Sequence, residues 1–181
     1  MDFTEKTINQ SIIYKGKIVT LRVDDAQLPN HKLAKREVIV HPGGVTIAAL
    51  TDADELLFVR QFRYPYGKVL LEIPAGKLEI GEDPLEAGKR ELREETGASA
   101  QNYISLGVQY PSPGYCDEIL HLYLATDLCF GDANPDEDEF LSVEKIPLDK
   151  AVEMVLAGEI PDGKSQTIIL KIYALRQMGK I

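Results

Sequence analysis

The chain has no tryptophan, only two cysteines and three histidines in 181 residues. Cys116 and Cys129 form no CxxC pair and are too few for a disulfide framework, so each is expected to be a small packed or half-packed side chain. His31, His41 and His121 stand at no metal-ligand spacing and read as ordinary loop or strand residues. No apolar run approaches the roughly 20 residues that a helix needs to cross a bilayer. The opening MDFTEKTINQ also lacks the basic and apolar regions of a secretory signal, so a cytoplasmic location is the expectation. Positive charge is scarce as well, with 20 Lys+Arg against 29 Asp+Glu giving a net −9. That balance disfavours nucleic-acid binding and a polybasic membrane-surface role, and any anionic substrate must have cations brought to it. What remains, at 44% hydrophobic residues and ordinary Gly and Pro usage, is a globular chain of about one domain.

Period-2 alternation and β-branched residues dominate the first half. SIIYKGKIVTLRVDDAQLP reads as a hairpin turning near Lys15–Lys17, and REVIVHPGGVTIAAL as two further strands around His41–Gly44. ELLFVRQFRY and KVLLEIPAG continue the pattern. Residues 1–41 form a candidate N-terminal β subdomain, and 42–181 the main domain. The period changes at Asp83: an N-cap aspartate, Pro84 at the first helical position, Glu86 in a capping-box place and Gly97 as a stop predict a helix between them. Leu85, Gly88, Leu92 and Thr96 make its packing stripe, and a mid-helix glycine implies close backbone approach. Strands return from Tyr103 to Leu128, broken by the loop YPSPGYCDE. An acidic loop, DANPDEDEF, then precedes two helices, the second starting at Asp162 or Ser165.

Glu91 and Glu95 fall one turn apart on that first helix, with Glu94 beside both. Like charges so placed repel, and a shared divalent cation converts the repulsion into coordination. Hard oxygen donors at this density suit Mg²⁺, which takes one or two carboxylates together with water and phosphate oxygens. The plainer alternative is a solvated ladder of Glu86, Arg90 and Glu94 with no function.

The segment GKLEIGEDPLEAGKRELREETGA, Gly76 to Ala98, resembles the signature of the Nudix hydrolases, whose fixed positions correspond to Gly76, Glu82, Arg90, Glu91, Glu94, Glu95 and Gly97. Leu92 fills the first aliphatic position; Ala98 is smaller than the usual last one. The resemblance implies an α/β fold, the Nudix α/β/α sandwich around a mixed β-sheet, with the small N-terminal β subdomain added. It implies that Glu91, Glu94 and Glu95, with the Ala75 carbonyl, ligate Mg²⁺ or Mn²⁺, that Arg90 orients Glu94, and that Glu82 assists.

Pro113, sixteen residues beyond Gly97, and the segments RQFRYP and LEIPAGK resemble the ADP-ribose pyrophosphatase branch of that family. That likeness implies hydrolysis of ADP-ribose to AMP and ribose 5-phosphate by a homodimer whose N-terminal strands help form the partner's adenine pocket. By the same carry-over the general base is Glu139 or Glu137, and Arg63, with Arg36, Arg60 and Pro113, binds substrate. Adenine stacking without tryptophan must use Phe or Tyr, with Tyr14 and Tyr115 as candidates. The competing readings are another nucleotide sugar or dinucleotide, such as GDP-mannose or NADH, and a non-catalytic nucleotide-sensing module, which the complete set of glutamates disfavours.

Overall fold

The structure is a computed structural model and describes residues 2–134 and 140–181. The chain forms two compact units, Met1–Gly43 with Tyr110–Ile119, and Gly44–Gln109 with Leu120–Ile181.

The first unit is an antiparallel sheet of β1 (Lys6–Lys15), β2 (Thr20–Gln27) and β3 (Leu33–Val40), in that order. The expected hairpin is there: the Gly16 N–H donates to the Val19 carbonyl at 2.9 Å, closing the turn between β1 and β2. Every residue of β1 is exposed, including Ile8, Ile12, Ile13 and Tyr14. The Tyr110–Ile119 segment joins β3 through two backbone bonds. Ile39 N–H donates to the Tyr115 carbonyl at 2.7 Å, and Asp117 N–H donates to the Ile39 carbonyl at 3.1 Å.

The second unit contains β4 (Gly44–Ala49), β5 (Glu55–Arg63), β6 (Lys68–Glu72), β7 (Ala75–Lys77), α1 (Pro84–Thr96), β8 (Ala98–Gln109), β9 (Leu120–Phe130), β10 (Leu141–Pro147), α2 (Leu148–Leu156) and α3 (Gly163–Gln177). One sheet runs β7-β4-β9-β8, with β4 and β9 parallel and the outer pairs antiparallel; β10-β5-β6 form a second, antiparallel sheet. Strand alternation sorts side chains between two cores. Ile47 and Ala49 of β4 join Leu57 and Leu92 on the α1 side, whereas Ala48 joins Leu56, Phe58, Ile168, Ile169 and Ile172 on the α2 and α3 side. Helices on both faces of a mixed sheet are the α/β/α sandwich expected.

The caps of α1 follow the sequence signals. Asp83 accepts from the backbone N–H groups of Leu85 and Glu86 at 2.9 and 3.1 Å, and Gly97 ends the helix at φ +70°, a conformation that favours glycine. Glu86 is drawn to Lys89, at 2.7 Å, and its carboxylate is placed in that pair, not in the second half of a capping box. The close approach inferred at Gly88 is real: a Cβ there would stand 3.1 Å from Val45 Cγ2 on β4. Ala98 is fully buried beside Leu92, so the small residue packs without difficulty. Asp162 is the N-cap of α3, which settles the two candidate starts. Cys116 is half-buried, but Cys129 is exposed, because it lies near the end of β9 where burial fades.

Candidate active site

The segment from Glu72 to Lys77 runs along the acidic face of α1. Pro74 is pinned to β4, its carbonyl accepting from the Ile47 N–H at 2.9 Å, and the Ala75 N–H donates to Glu95 Oε2 at 3.2 Å. Gly76 pairs with Val45 at ordinary backbone angles, so its requirement is space: a Cβ there would overlap the Glu91 carboxylate. Glu91 and Glu95 are buried on this face, an arrangement that is costly unless each carboxylate is compensated.

Arg90 supplies much of that compensation. It donates to both Glu82 oxygens, at 3.0 and 3.2 Å, and through Nη1 to Glu91 at 2.8 Å and Glu94 at 2.9 Å. The Glu82 pairing, followed by the other two carboxylates, raises the Arg90 pKa above its ordinary value, and the same contact lowers that of Glu82. The Glu79 N–H also donates to Glu82, at 2.9 Å, which fixes the loop before the helix. The alternative of a Glu86–Arg90–Glu94 ladder is therefore met at one end only. Arg90 keeps Glu94 but turns to Glu82 and Glu91.

Arg90 bridges Glu91 and Glu94, and Glu95 meets the Ala75 N–H, so the face carries carboxylate oxygens of the kind that suit a hard divalent cation. Among the described residues no group of three or more acidic, imidazole or thiol side chains is placed to hold a metal ion by itself.

Arg63, at the end of β5, pairs side-on with the buried Glu72: Nε to Oε1 at 2.7 Å and Nη2 to Oε2 at 2.8 Å. This hydrogen bonding raises the Arg63 pKa, and the negative fields of Asp162 and Glu95 add to it. Arg60 instead pairs with Glu144 across β5 and β10, on a largely exposed surface. Arg36 and Pro113 belong to the first unit, where both line a cavity of about 570 Å³ with Asp24, Tyr115 and Asp117; Arg36 is held there by Glu5 at 2.7 and 2.8 Å. Tyr14 is exposed on β1. Glu137 and Glu139 lie outside the described residues.

One functional cluster was not foreseen. Glu72 accepts from Lys164 as well as Arg63, and Lys164 donates to Asp162 at 3.0 Å. The signal was a glutamate inside the apolar run KVLLEI, where alternation turns it inward.

An α/β/α sandwich in which a glycine on the edge strand lets a helix of arginine-bridged glutamates approach is the arrangement that the signature implies for a hydrolase. Residues 40–167 match the NUDIX domain model, and the chain belongs to the NUDIX domain family. It is 44% identical over 163 residues to an ADP-ribose pyrophosphatase of Bacillus subtilis, covering 89% of this chain and 88% of that one. It is also 44% identical over 165 residues to a methanol dehydrogenase activator of Bacillus methanolicus, covering 90% and 89%. A crystal structure of an ADP compounds hydrolase superposes over the full length of both chains with a TM-score of 0.87 at 21% identity, a likeness of fold.

Proposed function

We propose that the chain hydrolyses the pyrophosphate of ADP-ribose to AMP and ribose 5-phosphate. The observation that carries this is the intact, preorganised carboxylate set around Arg90, since a module that only sensed nucleotides would have no use for it. Two relatives of equal identity carry different names, so the choice of substrate rests on Arg63, Pro113 and the LEIPAG segment that resemble the ADP-ribose pyrophosphatases. Glu91, Glu94, Glu95 and the Ala75 carbonyl would hold Mg²⁺, or Mn²⁺ in its place. When bound, such an ion supplies neutralisation of the diphosphate and a more acidic water.

The chain's own residues do the rest. Arg90 keeps Glu91 and Glu94 aimed and spaced, and Glu82 fixes Arg90. Arg63 offers a planar fork to the diphosphate, which an ammonium could not match. Glu139, or Glu137 beside it, takes the proton of the attacking water as its oxygen closes on the adenosyl phosphorus in line and the bond to the ribose 5-phosphate oxygen breaks. Support for this loop comes from its described entrance: the Asn134 N–H, three residues before Glu137, donates to the Glu94 carbonyl at 3.0 Å, and the Gly131 N–H to that of Gly97 at 2.8 Å. Arg36, Arg60 and Pro113 are proposed as further substrate contacts. The fully exposed β1, with its isoleucines, supports a homodimer joined through residues 1–41, the other 140 residues being the hydrolase domain.

The test is a panel of ADP-ribose, GDP-mannose and NADH with Mg²⁺ or Mn²⁺, reading kcat/KM and products. AMP and ribose 5-phosphate released fastest from ADP-ribose is the expected outcome. Equal or faster cleavage of GDP-mannose overturns the substrate, and no metal-dependent cleavage of any compound overturns the enzyme.

A further inference from the structure

A four-charge cluster, buried at Glu72 and open to solvent at Arg63, ties the N-terminus of α3 to the segment beside the acidic helix. Arg63 and Lys164 supply two cations, Glu72 and Asp162 two anions, so its net charge is zero. The side chains of Glu72 and Lys164 are 2% and 12% exposed. Ser165, the next residue of α3, accepts from the Ile73 N–H at 2.8 Å and donates to Asp162 Oδ2 at 2.6 Å. Adjacent residues of one helix turn thus hold adjacent residues of the LEIPAG segment, Lys164 the Glu72 side chain and Ser165 the Ile73 backbone. A buried ionic cluster is seldom the most stable way to fill such a space, since apolar replacements often do as well. Its geometry serves Arg63 instead. Glu72 takes the Nε/Nη2 edge of the guanidinium, and the other edge, Nη1 with the second Nη2 hydrogen, lies outside that pairing as a fork for a phosphate. Lys164, itself anchored by Asp162, shares Glu72 Oε2 with Arg63, so the carboxylate that orients the guanidinium is held at both oxygens.

We propose that Lys164 is a positioning residue for substrate: acting through Glu72, it keeps the Arg63 guanidinium aligned for the diphosphate. This rests on the diphosphate-hydrolase reading above. The role belongs to a residue 92 positions from its partner, on a helix outside the signature.

The experiment is a double-mutant cycle on the full chain. Lys164→Met is expected to raise KM for ADP-ribose about tenfold with kcat within about threefold, the pattern of lost ground-state binding, and Lys164→Arg to restore most of it. In an Arg63→Ala background Lys164→Met should add nothing further. An unchanged KM in Lys164→Met, or the same KM rise with and without Arg63, overturns the proposal. Should Lys164→Met fail to fold by circular dichroism, the same cycle is read with Lys164→Gln. If the wild type prefers GDP-mannose, the substrate assignment falls while the cycle is run on that compound. If it cleaves nothing, calorimetric binding of α,β-methylene ADP-ribose replaces KM. Tenfold weaker binding in Lys164→Met then supports the proposal, and equal binding, or none by the wild type, overturns it.

Discussion

Replacing Gly76 by alanine separates what folding tolerates from what catalysis requires. The backbone there is ordinary, so alanine meets no conformational penalty; the added Cβ instead falls on the Glu91 carboxyl group. Ordinary contacts begin near 3.5 Å, and clearing this overlap moves the carboxylate by roughly an ångström or more. For stability that is cheap, because the group sits at the far end of a flexible side chain. The loss is the Arg90–Glu91 bond, and Arg90 retains Glu82 and Glu94. A partly exposed pair of this kind is worth about 1 kcal/mol, and a domain of this size loses about 2–4 °C in Tm for it. For catalysis the same ångström is expensive, since misplacing a catalytic group by that much costs on the order of 10²-fold in rate. Gly76→Ala should therefore unfold within a few degrees of the wild type while kcat on ADP-ribose with Mg²⁺ falls about a hundredfold. Thermal unfolding and steady-state kinetics on one preparation decide it. A wild-type kcat would show that the position of Glu91 does not matter to the chemistry, and a Tm collapse would show that Gly76 serves folding instead.

Glu95→Gln keeps an acceptor for the Ala75 N–H but removes the charge, so kcat should fall by about two orders of magnitude or more with Tm nearly unchanged; an unaltered rate excludes Glu95 as a metal ligand. Glu72 titrates below its ordinary 4.5: burial pushes its pKa up, but Arg63 and Lys164 together outweigh that. Its ionisation therefore contributes stability that is complete above the unfolded value and lost as pH falls through the lower folded one. Glu72→Gln should flatten the decline of Tm below about pH 5, and an acid limb parallel to that of the wild type would contradict the assignment.

Much of this was legible in the sequence because the signals were local. Asp83, Pro84 and Gly97 bound α1 through interactions within a few residues, and the alternation of β4 and β5 needs only the pleat to divide Ala48 and Phe58 from Ile47 and Leu57. The Gly76-to-Ala98 signature likewise places its carboxylates by helix geometry alone. Contacts across the chain were not legible. Glu86 takes Lys89 over a capping box, and Arg90 takes Glu82 eight residues back, because choices among nearby partners are settled by loop geometry. Lys164 and Glu72 meet only once α3 has packed on the sheet, and nothing in either neighbourhood names the other. Arg63 and Arg60 look alike as strand arginines three residues apart. Only their opposing partners, Glu72 and Glu144, separate a guanidinium near the acidic helix from one on the outer surface.

The two charge clusters of the second unit answer one another. Glu82, Glu91, Glu94 and Glu95 with Arg90 contribute −4 + 1 = −3, which one divalent cation would reduce to −1, whereas Arg63, Glu72, Lys164 and Asp162 sum to zero without any ion. With the proposed metal, an anionic diphosphate would meet far less repulsion at the site than the bare carboxylates present. The formal −9 overstates the repulsion at the place where it matters. It also explains why Arg90 should touch three carboxylates at once. A single guanidinium keeps three like charges from driving one another out of position, yet leaves them collectively anionic, as the proposed metal role requires. A second arginine there would stabilise the helix further and weaken the pull on a cation.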